Sequence, residues 1–252
     1  MGKIVAIGGG EIGRPGYPVE TTAIDKEIIK LSGKKNPKLL FLPTASGDSK
    51  LYSRVVKKHF GDRLSCKVET LFLIGQKTEY EKLQEKILGS DIIYVGGGNT
   101  LAMLEIWKKT GVDKILREAY EKRIVLSGLS AGALCWFEYG RSDSLRFTAP
   151  ERKKWDHVVV KGLGLVRGFV SPHFTKSGKR GKHIAEILKS SKKPIIAIGN
   201  CAAIEIVDDK FRIITSKPSA KVSKIYRNEK KLFITEVENI RDYRSLEELV
   251  EV

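Results

Sequence analysis

The chain has little sulfur and no membrane-like run. Its three cysteines, Cys66, Cys135 and Cys201, stand far apart in 252 residues with no metal-type spacing, so the pattern indicates neither a disulfide framework nor a zinc site. They read as small buried hydrophobes. No apolar run is long enough to span a bilayer, and Met1-Gly2-Lys3 leads into a strand-like run without a signal peptide's apolar region. Ala6 stands where a myristoylation signal needs Ser or Thr. These absences set the expectation of a cytoplasmic protein with no membrane partner. Internal repeats and low-complexity linkers are missing too, so one domain is expected over residues 1–252. Acidic residues are in the minority, 30 against 46 Lys and Arg, leaving a net charge of +16. Such an excess favours anionic partners in general. The basic pairs Lys34-Lys35, Lys108-Lys109, Lys153-Lys154 and Lys192-Lys193 are scattered, however, and no aromatic residues interleave with them. A solvated surface is expected, with no specific nucleic-acid partner.

What the chain does have is a 41% hydrophobic content arranged in short alternating segments. Apolar runs at 3–7, 38–42, 67–71, 91–95, 123–126, 165–170 and 194–198 have the length and continuity of strands buried on both faces. Between them, 22–31, 80–88 and 100–108 carry apolar residues at helical spacing. The alternation predicts an α/β fold: a doubly wound, mostly parallel sheet with helices on both faces. From Ala202 onward the pattern changes. Asp208-Asp209-Lys210 between two apolar runs signals a hairpin, and strand-like runs follow at 220–226 and 231–236. A β-rich C-terminal extension along one sheet edge is expected.

Two glycine-rich turns carry the chemistry. Ser127-Gly128-Leu129-Ser130-Ala131-Gly132-Ala133 follows an apolar run and has the form of a nucleophile elbow, G-x-S-x-G. A strand entering and a helix leaving this turn push the middle hydroxyl outward and leave the next backbone N–H free for an oxyanion. Val95-Gly96-Gly97-Gly98-Asn99-Thr100 also ends a strand and opens a helix, supplying backbone donors, with Asn99 or Thr100 available as the cap. In an open α/β sheet both turns lie at the carboxyl edge, where ligands bind. A third loop, Gly8-Gly9-Gly10-Glu11-Ile12-Gly13, satisfies a dinucleotide-binding pattern, but Pro15, Gly16 and Pro18 follow where a helix is needed. It is read as part of the rim of the serine site.

The segments 95–100 and 128–133, followed by Ser171-Pro172-His173-Phe174, resemble the peptidase E family of serine peptidases, which includes aspartyl dipeptidases and cyanophycinases. The resemblance covers most of the chain and implies a fold similar to that of class I glutamine amidotransferases. It makes Ser130 the nucleophile, His173 the general base, and the N–H groups of Gly98 and Ala131 the oxyanion hole. A serine hydroxyl needs such an imidazole to take its proton and later return it to the leaving amine. His173 follows a strand-like run and a stiffening Pro172, whereas His59 and His183 lie in helical, charged surroundings; His157 stays open as a competitor. In the family an acid lies between serine and histidine; Asp143 is favoured for that role and Glu138 is the alternative. Substrate contacts are expected at Asn99, Thr100 and Arg180, the last matching a family arginine that reads an N-terminal aspartate. The implied activity is a serine exopeptidase, a dipeptidase acting on short peptides, with no metal or cofactor required. The alternatives are a cyanophycinase-like or other amide hydrolase, or a noncatalytic anion or nucleic-acid binder.

Overall fold

The structure, a computed structural model, describes residues 2–148, 157–175, 179–191, 193–229 and 231–251. The first half runs β1 (Lys3–Ile7), α1 (Thr22–Ser32), β2 (Lys38–Leu42), α2 (Lys50–Val56), β3 (Lys67–Thr70), α3 (Tyr80–Leu88), β4 (Ile92–Val95), α4 (Thr100–Thr110) and α5 (Val112–Glu121). Next come β5 (Val125–Leu129), α6 (Ala131–Leu134), β6 (Phe137–Ser142), α7 (Leu145–Thr148), β7 (Val158–Lys161), β8 (Val166–Pro172) and α8 (Lys179–Ser190). The last part is mostly strand: β9 (Ile195–Ile198), β10 (Ala202–Val207), β11 (Lys210–Thr215), β12 (Val222–Asn228), β13 (Lys231–Glu236), β14 (Arg244–Ser245) and a closing α9 (Glu247–Val250).

The strands form two sheets, ordered β14-β11-β10-β1-β5-β4-β2-β3 and β13-β12-β9-β8-β6-β7. In the first, β1, β5, β4, β2 and β3 are parallel. Because successive side chains on a strand point to opposite faces, continuous apolar runs feed two cores at once. Ile4, Ala6, Leu40, Leu42, Ile93 and Val95 enter one core, with Leu83 and Ile87 of α3, Met103 and Trp107 of α4 and Ile115 of α5. Their neighbours Val5, Ile7, Leu39, Phe41, Ile92 and Tyr94 enter the other, with Ile24 and Ile28 of α1 and Val55 and Val56 of α2. The α/β expectation of a mostly parallel sheet covered on both faces is met here.

The expected single sheet is in fact two. The edge beyond β1 is taken by β10, antiparallel from Lys3↔Val207 to Ile7↔Ala203, and the expected hairpin then adds β11. With that edge closed, β8 pairs with β9 on one side and β6 on the other in a second sheet. Apolar continuity reports that a strand is buried, and says nothing about which strand it joins. The helix after the elbow is only four residues long. It ends at Leu134, and Glu138 lies on β6. Trp136 and Phe137 are buried in the core with Trp107, Leu163 and Val166, and Phe137 pairs with Val166 of β8.

Candidate active site

Strand β5 delivers Ser130 to the carboxyl edge of the first sheet, and α6 departs immediately after it. Ser130 itself has φ 59° and ψ −108°, a backbone conformation that costs a side-chain-bearing residue on the order of 1–3 kcal/mol and persists only where the surroundings impose it. Those surroundings are visible. The Ser130 N–H donates to the Ile7 carbonyl at 3.0 Å. On either side, a Cβ on Gly128 or Gly132 would lie 2.5 or 2.2 Å from the Val95 carbonyl oxygen, so only glycine lets β4 pass this closely.

His173 follows β8, with φ 54°. Its N–H donates to the Gly8 carbonyl at 2.9 Å, and Cys201 N–H donates to the Gly9 carbonyl at 2.8 Å. Three chain segments therefore hang from consecutive carbonyls at the end of β1. The result is a continuous array: His173 Nε2 lies 2.7 Å from Ser130 Oγ, and His173 Nδ1 lies 2.7 Å from Asn200 Oδ1. An amide oxygen only accepts, so it selects the tautomer with the proton on Nδ1 and leaves Nε2 to accept from the serine hydroxyl. Gly9 lies directly behind this bond; a Cβ there would come within 2.3 Å of both His173 Nδ1 and Asn200 Oδ1.

Asn200 is the residue that sequence reasoning missed. Neither acid expected between Ser130 and His173 meets the imidazole. Asp143 pairs with Arg146 at 3.2 Å. Glu138 accepts from Gly168 N–H at 3.2 Å and from Lys193 at 3.4 Å, and these contacts hold its carboxyl below the usual range, the Gly168 bond foremost. No sequence signal marks Asn200; strand pairing brings it to the site. Pro172 of β8 is in register with Ile198 of β9, so residues just past the two strand ends must be neighbours at one sheet edge.

The remaining nominated residues are placed as follows. Gly98 and Asn99 line the cleft that holds Ser130 and His173. Asn99 caps α4, its Oδ1 accepting from Ala102 N–H at 3.2 Å. Thr100 is buried, and its hydroxyl accepts from Ser142 Oγ at 3.2 Å, so it faces the interior. Ala131, buried, opens α6 directly after the serine. Arg180 belongs to α8, but its side chain lies outside the described residues, as do residues 176–178 of the same basic loop. Of the other histidines, His157 packs against His183, with ring centroids 5.4 Å apart, and His59 is buried against Asp25. Among the described residues no cluster of His, Cys, Asp and Glu could hold a metal, and no helix is long and apolar enough to cross a membrane.

The cleft has a volume of about 710 Å³. Its rim includes Gly10, Glu11, Ile12 and Arg14 from the glycine-rich loop after β1, Gly97 and Gly98 from the second glycine turn, and Tyr52 from α2. Glu11 is pulled upward by partial burial, yet backbone N–H groups of Arg14 and Gly13 and the Arg14 guanidinium outweigh this and hold its carboxyl below the usual range. Burial pushes the Tyr52 phenol upward, opposed by a bond from the Gly97 backbone. Tyr52 therefore stays protonated beside the serine.

Comparison with known proteins places the chain in a family. The sequence matches peptidase family S51 over residues 4–214. It is 35% identical over 231 residues to the uncharacterized peptidase YgaJ of Bacillus subtilis (strain 168), covering 89% of this chain and 92% of that protein. A crystal structure of a peptidase from an acI-B1 actinobacterium superposes with a TM-score of 0.70 at 19% identity, covering 97% of each chain. A putative peptidase E protein from Listeria monocytogenes EGD-e superposes at 0.61 with 21% identity, covering 85% of this chain and 98% of that one. At these identities the two structures establish a shared fold, while the family assignment rests on the sequence match. With a strained serine held against a histidine inside that fold, the chain belongs to peptidase family S51 and is a serine peptidase.

Proposed function

We propose that the protein is an exopeptidase that hydrolyses short peptides, as a dipeptidase, through an acyl-enzyme on Ser130. The observation that carries this reading is the 2.7 Å approach of His173 Nε2 to Ser130 Oγ at the edge of an open cleft. In the proposed cycle the Ser130 oxygen attacks the scissile carbonyl carbon while His173 Nε2 takes its proton. The carbonyl π pair moves onto oxygen, where the N–H groups of Gly98 and Ala131 receive the negative charge. Collapse breaks the C–N bond, and the imidazolium returns the proton to the leaving amine. A water molecule, deprotonated by the same imidazole, then attacks the acyl ester and releases the acid together with free Ser130. Asn200 holds the ring in the required tautomer throughout, as an asparagine does in Cys-His-Asn proteases.

The test is release of amino acids from a panel of di- and tripeptides by wild type and by Ser130→Ala. The variant is expected to fold normally and to lose at least about 10⁴-fold in kcat. Activity retained in Ser130→Ala would remove the nucleophile from the scheme.

A further inference from the structure

The resemblance suggested an acidic substrate residue, but the walls of the cleft have a different chemistry. Leu51 on α2, Ile74 in the loop after β3 and Phe147 on α7 are 57%, 43% and 44% exposed, and all three line the cavity that contains Ser130 and His173. Single exposed apolar side chains are ordinary on protein surfaces. Three of them, brought from distant segments to one concavity beside a nucleophile, form the kind of patch that marks a ligand groove.

This wall is held in place by dedicated contacts. Ser49 Oγ caps α2 by accepting from Tyr52 N–H at 3.2 Å, which fixes the turn that bears Leu51. Asp48, at φ 55°, accepts from both Leu73 N–H and Ile74 N–H at 2.6 Å through one oxygen and so pins the loop that presents Ile74. Its second oxygen is buried with no hydrogen-bond partner among the described residues. Tyr52 is braced edge-on by Phe41, with ring centroids 5.1 Å apart. A positive φ and an unsatisfied carboxylate oxygen are both unfavourable in a folded chain. Here they keep an isoleucine in solvent.

The charges point the same way. The two arginines among the described lining residues are already matched to carboxylates, Arg14 to Glu11 at 2.6 Å and Arg146 to Asp143 at 3.2 Å. The Arg146 guanidinium also lies over the Phe147 ring at 4.5 Å. An acidic substrate side chain would have to displace an intramolecular partner to reach either one. An apolar side chain needs only to cover carbon that is otherwise wet.

We infer that this cleft selects a peptide with a large apolar side chain next to the scissile bond, and that Leu51, Ile74 and Phe147 form the surface that recognises it. This rests on the serine-peptidase reading of the same cleft, so the experiment separates the two. Wild type is first treated with a small alkyl fluorophosphonate, and adduct formation at Ser130 is read by mass spectrometry. The kcat/KM is then measured for dipeptides carrying Leu, Phe, Asp or Lys on either side of the bond. The expected result is labelling of Ser130 and at least a tenfold preference for Leu or Phe over Asp at one of the two positions. Ile74→Asp, and independently the more exposed Leu51→Asp, are expected to reduce that preference about tenfold. Two variants are used so that one misfolded protein does not decide the matter. A labelled Ser130 with preference for Asp or Lys, a flat profile, or a preference unchanged in both variants overturns the apolar surface and leaves the serine chemistry standing. No labelling and no hydrolysis removes both.

Discussion

Two histidines of this chain are each bonded to a side-chain oxygen at 2.7 Å, and only one of them sits at the cleft with the nucleophile. His59 lies in a wide helical turn, Lys57–Arg63, that continues α2; it is 1% exposed, and its Nε2 meets Asp25 Oδ2. The same carboxylate oxygen accepts from Thr21 Oγ1 at 2.7 Å. Judged by residue type, a hydroxyl, a carboxylate and an imidazole, this group looks more like a catalytic triad than Ser130, His173 and Asn200 do. Connectivity decides otherwise. The Thr21 hydroxyl gives its proton to the carboxylate and leaves the imidazole unserved, and burial excludes substrate. At the cleft the order is hydroxyl, imidazole, acceptor, on three loops at a sheet edge. A histidine–carboxylate pair reports on charge burial, and catalysis requires the nucleophile on the imidazole's other nitrogen.

Losing each pair has opposite consequences. His59→Ala leaves Asp25 fully buried with only Thr21, and is expected to destabilise the fold by about 3–5 kcal/mol at pH 7 while leaving the kcat of the folded fraction unchanged. Burial pushes the Asp25 carboxyl above its unfolded value, so the neutral acid is the form the fold favours, and stability is lost as pH rises through the folded pKa. The penalty in His59→Ala should therefore shrink between pH 7 and pH 5, which urea unfolding at the two values measures. Asn200→Ala is expected to do the reverse, lowering kcat/KM about 10²-fold, or about 2.7 kcal/mol, with an unfolding midpoint close to that of wild type. Should His59→Ala abolish turnover instead, the separation of the two histidines fails. The smallest effect sharpens the contrast: Asn200→Asp places a carboxylate 2.7 Å from Nδ1. An anion there favours the imidazolium, and the base must be neutral to act, so the acid limb of the kcat/KM profile should move up by about one pH unit. An unmoved limb would mean that Nδ1 does not meet residue 200 in the working enzyme.

The parallel strands, the elbow and the glycine turns were legible because each has a local signature: continuous apolar runs, G-x-S-x-G, and glycines next to strand ends. Ser130 and His173 could be nominated together only through the order of motifs, since 43 residues separate them. The second sheet was not legible, because pairing of β6 with β8 depends on which edges β10 had already closed. Asn200 carries no charge and stands in no motif. Only the register of β8 against β9 places it beside the imidazole. Ile74 was invisible for a related reason, since nothing near it in sequence tells that Asp48 holds its backbone outward.

The three bonds from Ile7, Gly8 and Gly9 to Ser130, His173 and Cys201 have a consequence for the timing of biosynthesis. The ruler against which the site is measured leaves the ribosome before every segment measured against it, the last of which comes nearly 200 residues later. At synthesis rates of about 5–20 residues per second, a ribosome needs roughly ten to forty seconds to cover that interval. From the synthesis of Ser130 until that of Cys201 the serine exists without its complete partner set. A peptidase built in this order cannot act on neighbouring nascent chains until Asn200 has joined the histidine.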